Sequence, residues 1–332
     1  MADSDDDRDE EDDDDIPAVA RARPGEVGFD LEAALSAVVG LRVTTPADAS
    51  TAGALGTERR GNGVVIGAKG LVLTIGYLIV EAEAIWITTE RGVAAPGHLV
   101  AYDQATGLGL VQALGRLGVA PLPIGSAAGL DAGSPVVVAG SRGLRTALSA
   151  RLLERRPFAG YWEYYLEEAL FTAPAHPHWG GAAVIGPDGR LVGIGSLLIQ
   201  EEGPGGQAVA GNMAVPAALL GPVQDEMLRF GRSGASNRPW LGLYATDTRD
   251  GVVVTGVAPR GPAAQAGLAE GDVVLAIGGS PVGELADLWR RLWAAGSPGA
   301  RVRLTLARDG KPREVGLETV DRHAFLKQPR LH

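Results

Sequence analysis

The chain has no cysteine, which excludes disulfides, thiolate metal sites and a cysteine nucleophile. Aromatic residues are scarce, at 5% of 332 residues, whereas there are 48 glycines. That balance favours short strands and tight turns over long packed helices. The N-terminus lacks the basic start, apolar core and small-residue cleavage site of a signal peptide. The uncharged stretch 203–224 is broken by three prolines and five glycines, so it does not read as a spanning helix. A cytoplasmic chain without a membrane span is the expectation. A basic patch is lacking as well: the net charge is -10, and 11 acidic residues and one Arg fall within residues 3–15. The rest of the chain is electroneutral and offers no footprint for nucleic acid.

The acidic run MADSDDDRDEEDDDD cannot bury apolar surface and repels itself, so residues 1–25 are predicted to be a disordered tail. It serves solubility or, on a sharper reading, captures a basic partner or a divalent cation. The spaced ligands around a glycine that a calcium loop needs are missing. No cofactor or metal site is predicted anywhere in the chain.

Downstream, Leu31, Ala34, Leu35 and Val38 recur at helical spacing behind Asp30 as N-cap, predicting a helix over residues 30–43. From residue 63 to 211 the pattern becomes short apolar segments split by Gly, Asp and Pro: GVVIGAKGLVLT, AIWITTERGVAAPGHLVAYD, LGLVQAL, PVVVAGS and AAVIGPDGRLVGIGSLLI. This alternation predicts antiparallel strands of a barrel or sandwich. Residues 215–229 carry a second helical stripe, Leu219, Leu220, Val223, Met227 and Leu228. Small polar residues 231–237 read as a linker, and residues 238–320 repeat strand, turn and helix signals of their own, with a tail at 321–332.

The order of these pieces resembles the HtrA/Deg family. The resemblance implies a mainly β protein: a trypsin/chymotrypsin-like double six-stranded antiparallel β-barrel over residues 26–230, followed by a PDZ domain. Three segments carry it. In LTIGYLIVEAEAI, Thr74 matches the Thr of the family's first motif and Tyr77 falls at its His. In DQATGLGL, from Asp103 to Leu110, Gly107 falls at the Asp. In AHPHWGGAAVIGPDGRLVGIGS, Gly180, Gly181 and the hairpin are kept while Trp179 stands at the nucleophilic Ser.

A serine protease needs a hydroxyl, an imidazole to take its proton, a carboxylate to orient that imidazole, and backbone donors for the oxyanion. Tyr77 holds a phenol that stays protonated near neutrality, Gly107 has no carboxylate, and Trp179 has no nucleophilic atom. The resemblance places the second oxyanion donor at Pro177, which has no N–H. The chain is therefore expected to be a non-catalytic pseudoprotease that works as a peptide-binding scaffold or adaptor. Two alternatives are an active HtrA-type serine endopeptidase in protein quality control and a structural subunit of a larger assembly; the resemblance implies a homotrimer. His176 and His178 read as solvated loop residues, since no third ligand accompanies them.

The PDZ resemblance implies that the loop Trp240, Leu241, Gly242 and Leu243 holds the carboxylate of a C-terminal or unfolded peptide. The opposite wall is a helix over residues 284–295, with Leu288 and Trp289 as side-chain contacts; Leu285, Leu288 and Leu292 also have core spacing. Six of the aromatics (Phe158, Tyr161, Trp162, Tyr164, Tyr165 and Phe171) crowd into residues 158–171. That cluster reads either as core or as a partner surface.

Overall fold

The computed structural model describes residues 16–202 and 208–327, so the acidic run lies outside the described residues. Twelve strands build the first part of the chain. β1 (Val38–Thr44), β2 (Glu58–Gly67), β3 (Leu71–Ile75), β4 (Ala84–Thr89), β5 (Ala94–Tyr102) and β6 (Leu108–Ala113) close a barrel in the order β1-β2-β3-β6-β5-β4. A second barrel closes as β10-β11-β12-β9-β8-β7, from β7 (Pro135–Ala139), β8 (Ala147–Gly160), β9 (Tyr164–Ala173), β10 (Ala183–Ile185), β11 (Leu191–Glu202) and β12 (Ala208–Pro216). The double barrel is thus as the resemblance implied. β4 alternates exposed and buried residues along its whole length, the pattern a pleat imposes when one face meets a core.

The predicted helix over 30–43 is much shorter. It runs Leu31–Ser36, capped by Asp30, whose carboxylate accepts from the Ala33 N–H at 3.1 Å. Val38, Val39 and Val43 belong to β1, where two neighbours claim them: Val39 sits opposite Gly63 of β2 and Thr89 of β4. β-branched residues with partners on both sides favour the strand over continuing the helix. The helix predicted over 215–229 is corrected likewise. Val215 and Pro216 end β12, a 3-10 helix spans Ala217–Val223, and only Gln224–Phe230 is α-helical, ended by Gly231 at φ 75°.

Within residues 16–25, assigned to the tail, Ile16 and Ala22 are buried while most of the others are exposed. Ile16 is 2% exposed within the core of the second barrel, and its N–H donates to Arg145 O at 2.9 Å.

The chain divides into two compact units. The barrels make up one. The other comprises Ser233–Gln328 together with Pro157–Glu167, the tip of the β8–β9 hairpin. In this second unit β13 (Pro239–Trp240), β14 (Leu243–Thr248), β15 (Gly251–Val257), β16 (Val273–Ile277), β17 (Ser280–Pro281), β18 (Arg301–Arg308) and β19 (Lys311–Glu318) lead to β20 (Val320–Asp321). The main sheet runs β14-β15-β16-β18-β19 around the helix Leu285–Ala294, whose Leu285, Leu288, Trp289 and Leu292 are all buried. Residues 321–327, predicted as a tail, belong to the unit: β20 pairs with β13, and the Phe325 ring lies 4.9 Å from that of Trp240.

An ion pair between buried Asp272 and the more exposed Arg308 ties this sheet to its turns. Asp272, with its side chain 1% exposed, contacts Arg308 at 2.6 and 2.7 Å and accepts from the Ala269 N–H at 3.0 Å. Hydrogen bonding to Arg308 holds its carboxyl below the usual range. A depressed carboxyl stabilises the fold above its unfolded pKa, about 3.9, and loses that contribution as pH falls through the lower folded value. Asp272→Asn should therefore cost about 1–3 kcal/mol at pH 7. In urea titrations the gap from the parent should narrow as pH falls below the unfolded carboxyl value of about 3.9.

Candidate functional site

A cleft of about 510 Å³ in the barrel unit is lined by Tyr77, Pro177, His178, Trp179 and Gly180 among others, and Gly107 is not part of its lining. Tyr77 sits on the single helical turn Gly76–Ile79 that follows β3. Arg59 clamps that turn: its Nη1 donates to Tyr77 O and Val80 O, both at 2.9 Å, and Nη2 donates to Thr51 Oγ1. Burial lowers the Arg59 pKa, and the Glu81 carboxylate opposes the effect.

Tyr77 and Trp179 line the same cleft, and the Tyr77 phenol donates to Ser196 O at 2.9 Å. Burial pushes the phenol well above its ordinary range, so it is protonated at neutral pH. The positions of imidazole and hydroxyl in the resemblance are thus filled by two aromatic side chains of one cleft.

Gly107 serves the backbone. Asp103, fully buried, accepts from the Thr106 N–H and hydroxyl at 2.9 and 2.8 Å, and the resulting turn leaves Gly107 at φ 78°. Gly107 O then receives the Gly76 N–H at 2.7 Å, fixing the start of the turn that bears Tyr77.

The segment from His176 to Gly181 is anchored by Asn62 of β2. Its Nδ2 donates to His178 O at 3.0 Å and Gly180 O at 3.2 Å, while its Oδ1 accepts from the Ser141 N–H at 3.0 Å. Asn62 and Arg59 escaped the sequence reading, because an Asn between two glycines carries no signal of partners 116 and 118 residues away, and an Arg in a strand gives none of the turn 18 to 21 residues on that it clamps. The solvated-loop expectation for His176 is overturned. This residue is 0% exposed, its Nε2–H faces Thr146 O at 2.9 Å, and its Nδ1 accepts from the His178 N–H at 3.0 Å. Burial lowers its pKa to about 4, so the ring is neutral and both nitrogens are engaged.

In the second unit, the loop from Trp240 to Leu243 presents its N–H groups to a carboxylate. That carboxylate belongs to Glu163: Oε1 accepts from Leu243 N at 2.8 Å and from Leu241 N at 3.2 Å. Gly242, at φ 73°, lets the loop turn. Burial pushes the Glu163 carboxyl up to about 7 against the opposing pull of these backbone donors and of Arg322. Leu288 and Trp289, expected to contact peptide, are both 0% exposed. They pack into the core of the unit, and the Trp289 indole N–H donates to Gly160 O at 2.9 Å.

The aromatic cluster over residues 158–171 is not one surface. Tyr164, Tyr165 and Phe171 are buried, and among the six only Tyr161, at 54%, is strongly exposed.

A trypsin-like peptidase domain matches residues 61–194, and a PDZ domain matches residues 239–319. The chain belongs to the HtrA/Deg family. Escherichia coli periplasmic pH-dependent serine endoprotease DegQ is 28% identical over 273 residues, spanning 78% of this chain and 58% of DegQ. Mycobacterium tuberculosis serine protease PepD is 26% identical, over 75% of this chain and 58% of PepD. This HtrA/Deg chain thus spans under two thirds of the length of those relatives. Among solved structures, HtrA-type protease AlgW with a decapeptide covers 91% of this chain and 100% of its own at 20% identity, with a TM-score of 0.52. A serine endoprotease from Yersinia pestis matches at 24% identity, covers 89% of this chain and 99% of its own, and has a TM-score of 0.51. Both establish the shared fold.

These relatives correct the non-enzyme expectation. They are named serine proteases, which points to a protease and not to a protein without peptidase activity. DegQ is also named periplasmic, which lends the cytoplasmic expectation no support.

Proposed function

We propose that the chain handles polypeptides in the manner of an HtrA-type serine endopeptidase of protein quality control, engaging the free C-termini of unfolded chains through its PDZ loop. The carrying observation is that loop's chemistry: Leu241 and Leu243 direct their N–H groups at one carboxylate oxygen at 3.2 and 2.8 Å. The same arrangement suits a terminal carboxylate laid along β14 as an added strand. Support for hydrolysis comes from the named relatives. Support for recognition comes from this chain's own residues.

Two measurements test the halves separately. A labelled peptide with a free C-terminus should bind, and its C-terminal amide should not. Equal binding of the two would sink carboxylate capture. Unfolded casein should yield fragments at a rate proportional to the amount of chain, with mass spectrometry locating the cuts. An intact substrate after prolonged incubation would remove the endopeptidase half. Because Tyr77, Gly107 and Trp179 stand at the triad positions, any hydroxyl that labels with a fluorophosphonate should map elsewhere in the chain.

A further inference from the structure

The N–H groups of the PDZ carboxylate loop already meet a side-chain carboxylate of this chain. Glu163 lies at the tip of the β8–β9 hairpin with φ 57°, in the left-handed region that a non-glycine side chain normally avoids. A glycine would adopt that backbone more easily, so the carboxylate is what the position uses. Glu163 Oε1 meets the N–H groups of Leu241 and Leu243, and two residues earlier Tyr161 O accepts from the Ala245 N–H at 3.0 Å. The two-residue step from 163 to 161 matches the step from 243 to 245, which is the register of a peptide added antiparallel to a strand. On the helix side, Gly160 O is held by the Trp289 indole, and Ala159 and Tyr165 pack on the core of the unit. One segment thus meets the carboxylate loop, the strand edge and the helix wall together.

We propose that residues 160–163 are an internal ligand of the PDZ groove, the Glu163 side chain standing in for a terminal carboxylate, and that a polypeptide C-terminus binds by displacing them. The proposal rests on the peptide-binding reading above and adds competition to it. Apparent affinity is the intrinsic value scaled by the fraction of open grooves, so removing the internal competitor tightens binding without adding a contact. Burying a carboxylate disfavours its charged form, as the raised pKa of Glu163 shows. That opposes docking and keeps the segment displaceable.

The probes are a fluorescein-labelled decapeptide ending in valine with a free carboxylate, and its C-terminal amide. In the full chain, Glu163→Ala should lower the Kd for the free acid by about tenfold or more. Glu163→Gln should do so by less, and the amide should bind neither variant. Equal Kd values for the parent and both folded variants would overturn the internal ligand while leaving peptide binding intact. No binding to any of the three would sink the peptide-binding reading itself. A second measurement needs no variant: hydrogen exchange on the parent chain with saturating peptide. Displacement predicts faster exchange over residues 159–165 while residues 241–245 stay protected. Peptide bound with residues 159–165 still protected identifies Glu163 as a fixed strut and overturns the proposal.

Discussion

Gly181→Ala should collapse the cleft and destabilise the barrel unit by about 4 kcal/mol or more, among the largest costs expected of a single methyl group. Gly181 sits at φ 74°, and a Cβ there would lie 1.8 Å from Asn62 O and 2.7 Å from Thr74 Oγ1. Neither oxygen can retreat. The Asn62 carbonyl accepts the Thr74 hydroxyl at 2.6 Å, and the Asn62 side chain holds His178 O and Gly180 O. Relief therefore requires the segment bearing Trp179 to leave Asn62, which breaks its anchor and leaves buried carbonyls unpaired. For a unit of this size the Tm should fall by roughly 8–16 °C, measured by calorimetry. Gly53→Ala is the control: its Cβ would meet nothing within 4 Å, and it lies in the helix Ala52–Leu55. That change should be neutral or stabilising by less than about 1 kcal/mol. Equal Tm values for parent and Gly181→Ala would show that the segment from His176 to Gly181 yields freely.

The same residues show what could be read from sequence. The strand segments were legible because alternation and turn residues are local, and the motifs around Thr74, Asp103 and Gly180 fixed the order of the barrels. The two helices extended too far for a related reason. Val38 and Val215 fit a helical stripe within their own windows, and only pairing with residues distant in sequence makes them strand. Contacts of long span were invisible altogether. Nothing near Glu163 announces that its carboxylate meets Leu241 and Leu243, 78 and 80 residues away. Its neighbours Tyr161, Trp162 and Tyr164 suggested an aromatic surface, whereas the polar residue among them makes the decisive contact. His176 illustrates the converse: a Pro-flanked histidine looks solvated until Asn212 Oδ1 is found accepting from its backbone N–H at 2.6 Å.

Trp289→Ala should cost the PDZ unit about 4 kcal/mol, because the indole is fully buried and truncation leaves a cavity that the sheet cannot close. In a unit of this size that lowers Tm by roughly 16–32 °C. Trp289→Phe separates packing from hydrogen bonding. It retains most of the apolar area but removes the N–H that Gly160 O accepts at 2.9 Å, a loss of about 1–3 kcal/mol. Where that loss appears depends on the hairpin tip. If residues 160–163 are displaceable, part of it is avoided by undocking: residues 159–165 should exchange faster in Trp289→Phe, and the free-carboxylate peptide should bind more tightly than to the parent. If the tip is a fixed strut, the whole loss should appear as a lower Tm with unchanged peptide affinity. The indole N–H thus links the stability of the PDZ unit to the availability of its groove, and one conservative substitution read by two measurements shows which of the two it serves.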